Sequence, residues 1–384
     1  MRLYNVSIVL LDRVISCGSI EIEAGTITDI QETAGEATHT VYPGFIDMHG
    51  DMIELELEPR AGVDFPMEVA VKHLDARLAA SGVTTAYAGV SFSRTAKDGA
   101  RRSFEHTSEI IKAMKENIGN LRVDHRIHAR FDVTYADAIE ALGGLLDKRA
   151  VDLVSLMDHT PGQGQYRNVE NLVANRVAGG LSEAEARAYV EKRMSDAVGA
   201  EQILRNLEKV SQLCAKGSVA VASHDDDTVE KANLMADIGA TISEFPVTLE
   251  AAEAAAERGL MIAMGAPNAM RGKSYSGNLS AREAHAKGIL HILAADYHPA
   301  AIMPAIQALA PSDPGGLPGA VRLASSNPAR CLGLDDRGEI AVGKRADLAI
   351  FDPTNRAVAT FCAGKIVHSD GSFAVDESSV KAAA

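Results

Sequence analysis

Six acidic or histidine-bearing clusters each close a short apolar run: His49-Gly50-Asp51, Asp132, Asp158-His159, His224-Asp225-Asp226-Asp227, Glu244 and Asp296. Imidazole and carboxylate together are the donor set of a hard-to-borderline divalent cation. Such a cation makes water acidic enough to supply a nucleophile at neutral pH. In a strand, positions i and i+2 share a face, so His49 and Asp51 can point at one ion, with Gly50 leaving room between them. Asp47 lies on that face too and is equally suited to bracing a loop. Asp296 ends LHILAAD, where a carboxylate can take a proton from attacking water and hand it to the leaving group. The clusters point to a metal-dependent hydrolase with Asp296 as its catalytic acid–base.

The remaining clusters leave alternatives open. Asp132 shares a face with His128 and Arg130, so an Asp–Arg pair and metal ligation are both available to it. His159 can ligate, hydrogen-bond substrate or hold the Pro161-Gly162 turn. Ala220 and Ala222 lie beneath His224 on its strand and leave space in a crowded centre. Asp226 and Asp227 read as the start of the next helix, whose positive N-terminal end favours carboxylates. Glu244 is a ligand, a substrate acceptor or a buried acid paired with arginine.

A second set of residues suits an anion. Gly265-Ala266-Pro267-Asn268 runs into Arg271-Gly272-Lys273-Ser274-Tyr275-Ser276-Gly277-Asn278, a Gly-rich, basic, hydroxyl-bearing loop without Walker spacing. Asn268, Arg271, Lys273 and Ser276 are candidate substrate-binding residues, joined by Arg60 after the first cluster and His298 beside Asp296. Cations and backbone amides of this kind can cradle phosphates.

Eight strand-like segments position these groups, near 41–51, 84–92, 125–133, 151–159, 218–226, 241–247, 260–268 and 289–296. Segments 66–81, 98–118, 135–148 and 228–238 carry helical spacing between them. Repeated βα alternation favours a closed (β/α)8 TIM-like barrel, in which functional groups gather at the C-terminal strand ends. The stretch 161–204 is too long for a plain connection and reads as helices inserted over the mouth. Residues 2–30 and 339–374 are β-rich, which predicts a small β-sandwich domain built from 1–42 and 338–384 around a barrel over 43–337. The tail ESSVKAAA is expected to fray.

Bulk properties narrow the partners. A formal charge of -14, with aromatics at 4% and no Trp, opposes nucleic-acid and anionic-membrane surfaces. It leaves room for a small anionic substrate, because a metal and a few cations can reverse the field inside one pocket. The four cysteines are scattered, no apolar stretch reaches membrane-spanning length, and a reducing cytoplasm is the expected setting. A homo-oligomer is compatible with all of this.

VYPGFIDMHGD, the eighth-strand Asp296 and SSNPARCLGLDDRGEIAVGKRADLAIFD together resemble the amidohydrolase superfamily. Within it, PGFIDMHGD with Glu54 and EPR, SLMDHTPGQGQ, SHDD, EFPVTLEAAEAA, MGAPNAMRGKSYSGN and ADYHPA resemble the PhnM-like branch. That branch comprises the α-D-ribose 1-methylphosphonate 5-triphosphate diphosphatases of phosphonate metabolism. The resemblance implies metal ligation by His49, Asp51, His224 and Asp296, with the shorter Asp132 replacing a third-strand carboxylate. It implies one or two divalent ions, with zinc as the first choice and manganese or iron as alternatives, and a sugar-phosphate substrate. No lysine ends the fourth strand, where many binuclear relatives carry a carbamylated one, so His159, Asp132 or a bridging water substitutes, or one ion suffices. Leu55 and Glu56 stand where the branch has basic residues and Gly164 where it has arginine, which points towards a less charged substrate. Cleavage of a C–N bond in an amide, cyclic imide or N-acyl sugar is the alternative reaction.

Overall fold

The computed structural model describes residues 1–60, 62–92, 104–274 and 277–375. The first strands are β1 (Arg2–Val9), β2 (Val14–Glu23), β3 (Thr26–Glu32) and β4 (His39–Pro43). The eight that follow are β5 (Phe45–Gly50), β6 (Val83–Phe92), β7 (Asp124–Asp132), β8 (Leu153–Met157), β9 (Ala220–His224), β10 (Ile242–Glu244), β11 (Met261–Gly265) and β12 (Ile292–Ala294). The last three are β13 (Leu348–Phe351), β14 (Ala357–Cys362) and β15 (Lys365–Ser369).

Every residue of β5, β6, β8, β10 and β12 is buried, as expected of parallel strands covered on both faces. The strands β5 to β12 pair in chain order into one eight-stranded parallel sheet. Hydrogen bonds bring its edges together: the Asp51 amide donates to Asp296 O at 2.7 Å and the Asp296 amide to His49 O at 2.9 Å. The barrel therefore closes beside two of the functional clusters. Ile46, Met48, Leu153, Ala222, Ile242, Ala263 and Ile292 form a dry plug in one interior cluster. Helices such as Met67–Ala79, Ile139–Asp147 and Val229–Asp237 cover the outside.

Both chain ends supply a separate mixed sheet in the order β15-β14-β13-β4-β1-β2-β3. It rolls over its own core, since Leu3, Ile20 and Ile27 share one cluster with Leu348, Val358 and Phe361. Arg337 ties its neighbourhood to the N-terminal ends of the barrel strands, donating to Asp124 at 2.6 Å and Thr85 at 3.0 Å. The small sheet thus braces the end of the barrel away from the functional clusters.

Two local readings of the sequence change, after β11 and at Asp226-Asp227, and the inserted helices of 161–204 are present. The segment after β11 is a short helix, Ala266–Arg271, where a loop is expected; Pro267 fits its first turn and Gly272, at φ 75°, ends it. Asp226 and Asp227 precede the Val229–Asp237 helix, and Thr228 caps it by accepting from the Lys231 amide. Asp226 instead lies buried between β9 and β10, accepting from the hydroxyls of Ser223 and Ser243. Asp227 accepts from the Gly164 amide at 2.8 Å. Within 161–204, helices Val169–Ala178 and Glu183–Ser195 pack together through Leu172, Val173, Ala186 and Val190. Arg193 anchors this pair to the rim by donating to His159 O at 2.9 Å. The tail 377–384 and the first part of the predicted helix 98–118 lie outside the described residues.

Candidate active site

The ends of β5, β9 and β10 and the middle of β7 aim their side chains at one point. Glu244 is its centre, with no exposed surface. His49 Nδ1 lies 3.2 Å from Glu244 Oε2, His224 Nδ1 3.1 Å from the same oxygen, and His128 Nε2 3.6 Å from Oε1. A second carboxylate, Asp225, lies 3.6 Å from His224 Nε2 and 3.7 Å from His159 Nε2. Three residues that leave the strands here adopt left-handed backbone: Asp225 (φ 54°), Phe245 (φ 52°) and Asp296 (φ 58°). Each such conformation costs about 1–3 kcal/mol and persists only where the surroundings impose it. Here the imposition is a ladder bond from each amide to the neighbouring strand, at Glu244 O, Ala263 O and His49 O.

Charge and burial divide the groups. Burial works against an ionised Glu244, but the charge of His49 and the hydrogen bonds from His224 and His49 hold the carboxyl well below its usual range. His49 is pushed up to about 10: burial opposes the imidazolium, and Glu244 and Asp51 outweigh it. Burial drives His128 down to about 3 and therefore neutral. Asp296 rises to about 6 through burial and the nearby Asp51 charge. Asp47 also rises to about 6 through burial, although it accepts from the amides of His49 (3.2 Å) and Ala295 (2.8 Å).

The donor set fits a divalent cation. His49 Nδ1, both ring nitrogens of His128 and Glu244 Oε1 are buried without a hydrogen-bond partner. Uncompensated buried polar atoms of this kind are costly unless something else satisfies them. One set of ligand atoms within 4.8 Å of one another comes from His49, His224 and Glu244, and another from His159, His224 and Asp225. The chemistry of either set, imidazole plus carboxylate, suits zinc or a similar ion.

Beside this cluster opens a cavity of about 160 Å³ whose walls include Asp225, Asp296, Arg271, Lys273 and Ser274. A larger one, of about 520 Å³, adjoins it and shares Gln165 and Asn278.

The Amidohydrolase family model matches residues 40–375, most of the chain. The chain belongs to the amidohydrolase family. Alpha-D-ribose 1-methylphosphonate 5-triphosphate diphosphatase of Escherichia coli (strain K12) is 37% identical over 362 residues, 91% of this chain and 94% of the relative. Among solved structures, a point mutant of N-acetyl-D-glucosamine-6-phosphate deacetylase from Mycobacterium smegmatis, in complex with N-acetyl-D-glucosamine-6-phosphate, aligns with a TM-score of 0.62 and 16% identity. That alignment covers 96% of this chain and 99% of the deacetylase. The Thermotoga maritima enzyme of the same name gives 0.60 and 18%, over 96% and 100% of the two chains. A variant of triazine hydrolase gives 0.63 and 14%, over 99% and 97%. At these identities the solved structures speak for the fold alone.

In this amidohydrolase the expected residues separate into groups. His49, His159, His224 and Asp296 meet at the rim. Asp51 stands beside them, 3.4 Å from His49 Nε2, and accepts from Arg130 Nη1 at 2.6 Å. Asp132 is buried and its Oδ1 accepts from the amide and hydroxyl of Thr134, 3.0 and 2.5 Å away. Arg271 and Lys273 line the cavity. Asn268 does too, but its amide group is a strut, donating to Leu279 O and accepting from the Ala281 amide. Arg60 and His298 are exposed and do not line that cavity, and Ser276 lies outside the described residues.

Sequence reasoning missed His128 as a member of the cluster and left Glu244 ambiguous; its partners are histidines, not arginine. The signal for His128 was its shared face with Arg130 and Asp132. Nor does Gly50 leave room for an ion: a Cβ there would lie 2.8 Å from Asp47 Oδ2 and 2.9 Å from Met52. Glu56 pairs with His73 (2.6 Å) and Arg77 of the Met67–Ala79 helix. Gly164 does sit at the site, packed against Asp225.

Proposed function

We propose that this amidohydrolase is a divalent-metal-dependent diphosphatase that cleaves α-D-ribose 1-methylphosphonate 5-triphosphate, or a closely related sugar triphosphate, to the 5-phosphate and pyrophosphate. The observation that carries this reading is the shared cavity, which puts Arg271 and Lys273 on the same walls as Asp225 and Asp296. The reaction named for the 37%-identical relative supports it. A polyphosphate makes fuller use of two cations facing these carboxylates than an uncharged amide does.

His49, His224 and Glu244 would hold a divalent ion, with His128, His159 and Asp225 close enough to complete or double the site. Zinc is our first choice, since borderline imidazole and hard carboxylate donors are mixed. A bound ion supplies positive charge and makes water acidic enough to attack near neutral pH. Asp296 takes the proton of the attacking water. A bond forms from the water oxygen to the α-phosphorus, and the bond from that phosphorus to the bridging oxygen breaks. The proton leaves with the pyrophosphate. Arg271 and Lys273 hold the departing charge through the transition state, where their attraction counts most. The sugar end extends towards the larger cavity by Gln165 and Asn278.

Four free cysteines, three of them buried, fit a reducing compartment, and we place the enzyme in the cytoplasm. No helix among the described residues is long and apolar enough to cross a membrane.

The test is product analysis. Purified protein loaded with zinc or manganese should release pyrophosphate, and not orthophosphate, from the ribose 5-triphosphate. Absence of pyrophosphate together with turnover of N-acyl or cyclic amide substrates would overturn the assignment.

A further inference from the structure

The cavity walled by Asp225, Asp296, Arg271 and Lys273 measures about 160 Å³. Ligand pockets usually measure about 300–1,000 Å³, so a whole sugar triphosphate overfills this one. The adjoining cavity of about 520 Å³ has room for the remainder, and Gln165 and Asn278 belong to the walls of both. A substrate that fills the two must pass between these carboxamides.

The larger cavity has a distinctive lining. Gln165, Asn171, Asn175 and Asn278 bring carboxamides and Arg167 a guanidinium. No described residue in its wall is acidic, although the chain carries a formal charge of -14. Carboxamides donate and accept at once, as sugar hydroxyls do. A guanidinium forks onto the oxygens of phosphate-like groups. Among the described residues, the side chains of Gln165 and Arg167 have no hydrogen-bond or ion-pair partner, so both are available to a ligand.

Both belong to a turn that the rim itself fixes. The Gly164 amide donates to Asp227 Oδ2 at 2.8 Å, and the Gly162 amide donates to Tyr166 O at 3.0 Å. The Tyr166 ring lies 5.9 Å from the ring of His159. Gly164 is left-handed, at φ 54°, and a Cβ there would lie only 3.3 Å from Asp225 O. The backbone bearing Gln165 and Arg167 is thus set against the residues that follow β8 and β9. Arg167 is exposed, but it starts from an anchored position.

We infer that the larger cavity is the subsite for the sugar and a second anion, with Gln165 and Asn278 on the ribose hydroxyls and Arg167 as the specificity-determining residue that grips a phosphonate on the anomeric carbon. The inference rests on the diphosphatase reading. It adds the residue that tells a phosphonate-bearing sugar triphosphate from a plain one.

The test compares pyrophosphate release from α-D-ribose 1-methylphosphonate 5-triphosphate and from ribose 5-triphosphate by the zinc-loaded protein. The unsubstituted enzyme should have the higher kcat/KM on the phosphonate-bearing sugar. Arg167→Met should reduce the ratio of the two kcat/KM values by about 10–100-fold, as expected for one charge-assisted hydrogen-bonding group. Arg167→Lys, which keeps the charge without the fork, should recover part of the ratio. Gln165→Ala should lower kcat/KM on both sugars alike. Calorimetry gives a readout apart from turnover: Arg167→Met should weaken binding of the product ribose 1-methylphosphonate 5-phosphate by a similar factor. Equal losses on the two substrates in Arg167→Met would put this arginine on the triphosphate, and an unchanged ratio would take it out of the site. Either result overturns the inference while leaving the diphosphatase reading intact. Failure of the unsubstituted enzyme to release pyrophosphate from either sugar would remove that reading instead.

Discussion

The two halves of the site are built differently. The imidazole–carboxylate cluster stands on barrel strands or just beyond them: His49, His128, His159, His224 and Glu244 are all buried. The anion-gripping side stands on the short helix after β11 and the segment that follows, where Arg271 and Lys273 are exposed. Strand ends locked by ladder bonds can hold charged groups in strained, preorganised geometry. A helix–loop edge can change its side chains without disturbing the barrel. Chemistry is therefore fixed on the rigid half, and the choice of substrate rests on the adaptable one, as barrels commonly arrange.

This contrast can be broken by experiment, and the largest effect should come from emptying the rigid half. Removing divalent ions with a chelator should abolish pyrophosphate release and lower the melting temperature, with zinc restoring both. Zinc at a hundredfold its dissociation constant stabilises the folded state by about 2.7 kcal/mol. Unchanged activity after verified metal removal would defeat the metal reading. Next, Asp296→Asn should cut kcat by about 10²–10⁴-fold, the range for losing a general acid–base, with metal content preserved. A variant that keeps its rate would assign the proton transfer elsewhere.

On the adaptable half the losses should be smaller and of another kind. Arg271→Ala and Lys273→Ala should each cost about 10–100-fold in kcat/KM for a triphosphate, from about 1.5–3 kcal/mol per charge-assisted hydrogen bond. Melting temperature should hardly move. If these variants lose metal as readily as His224→Ala, the two halves are not separable. The finest test is a proton count. His49 is pushed up to about 10 in the metal-free protein, so at pH 8 it carries a proton that a metal must expel. Calorimetry of zinc binding in buffers of different ionisation enthalpy should therefore show about one proton released from this ring, fading as the pH rises past 10. Release that does not fall at high pH would mean His49 is neutral beforehand.

The barrel was legible because its strands are buried on both faces and end abruptly in polar residues. Even β10 and β12, three residues each, stood out by the acid that ends or follows them, Glu244 in β10 and Asp296 after β12. The rim residues were legible as a set for the same reason. Their partnerships were not. Period-two reasoning places Asp51 beside His49, yet says nothing of an arginine two strands away reaching it over Gly89. It offered Asp226 to a helix end, whereas two serines on adjacent strands hold it below the rim. Nor did it reveal that Glu56 pairs with His73 and Arg77 of the neighbouring helix.

Residue order alone determined that eight barrel strands exist and which polar residues each carries to the rim, since apolar continuity and its interruption are local properties of the chain. Which nitrogen of His49 faces Glu244, which carboxylate lies beside it and which cations share a wall with Asp296 were decided only when the barrel closed. Those contacts span whole strands and helices, and their distances are set by closure and packing, which no short-range pattern encodes.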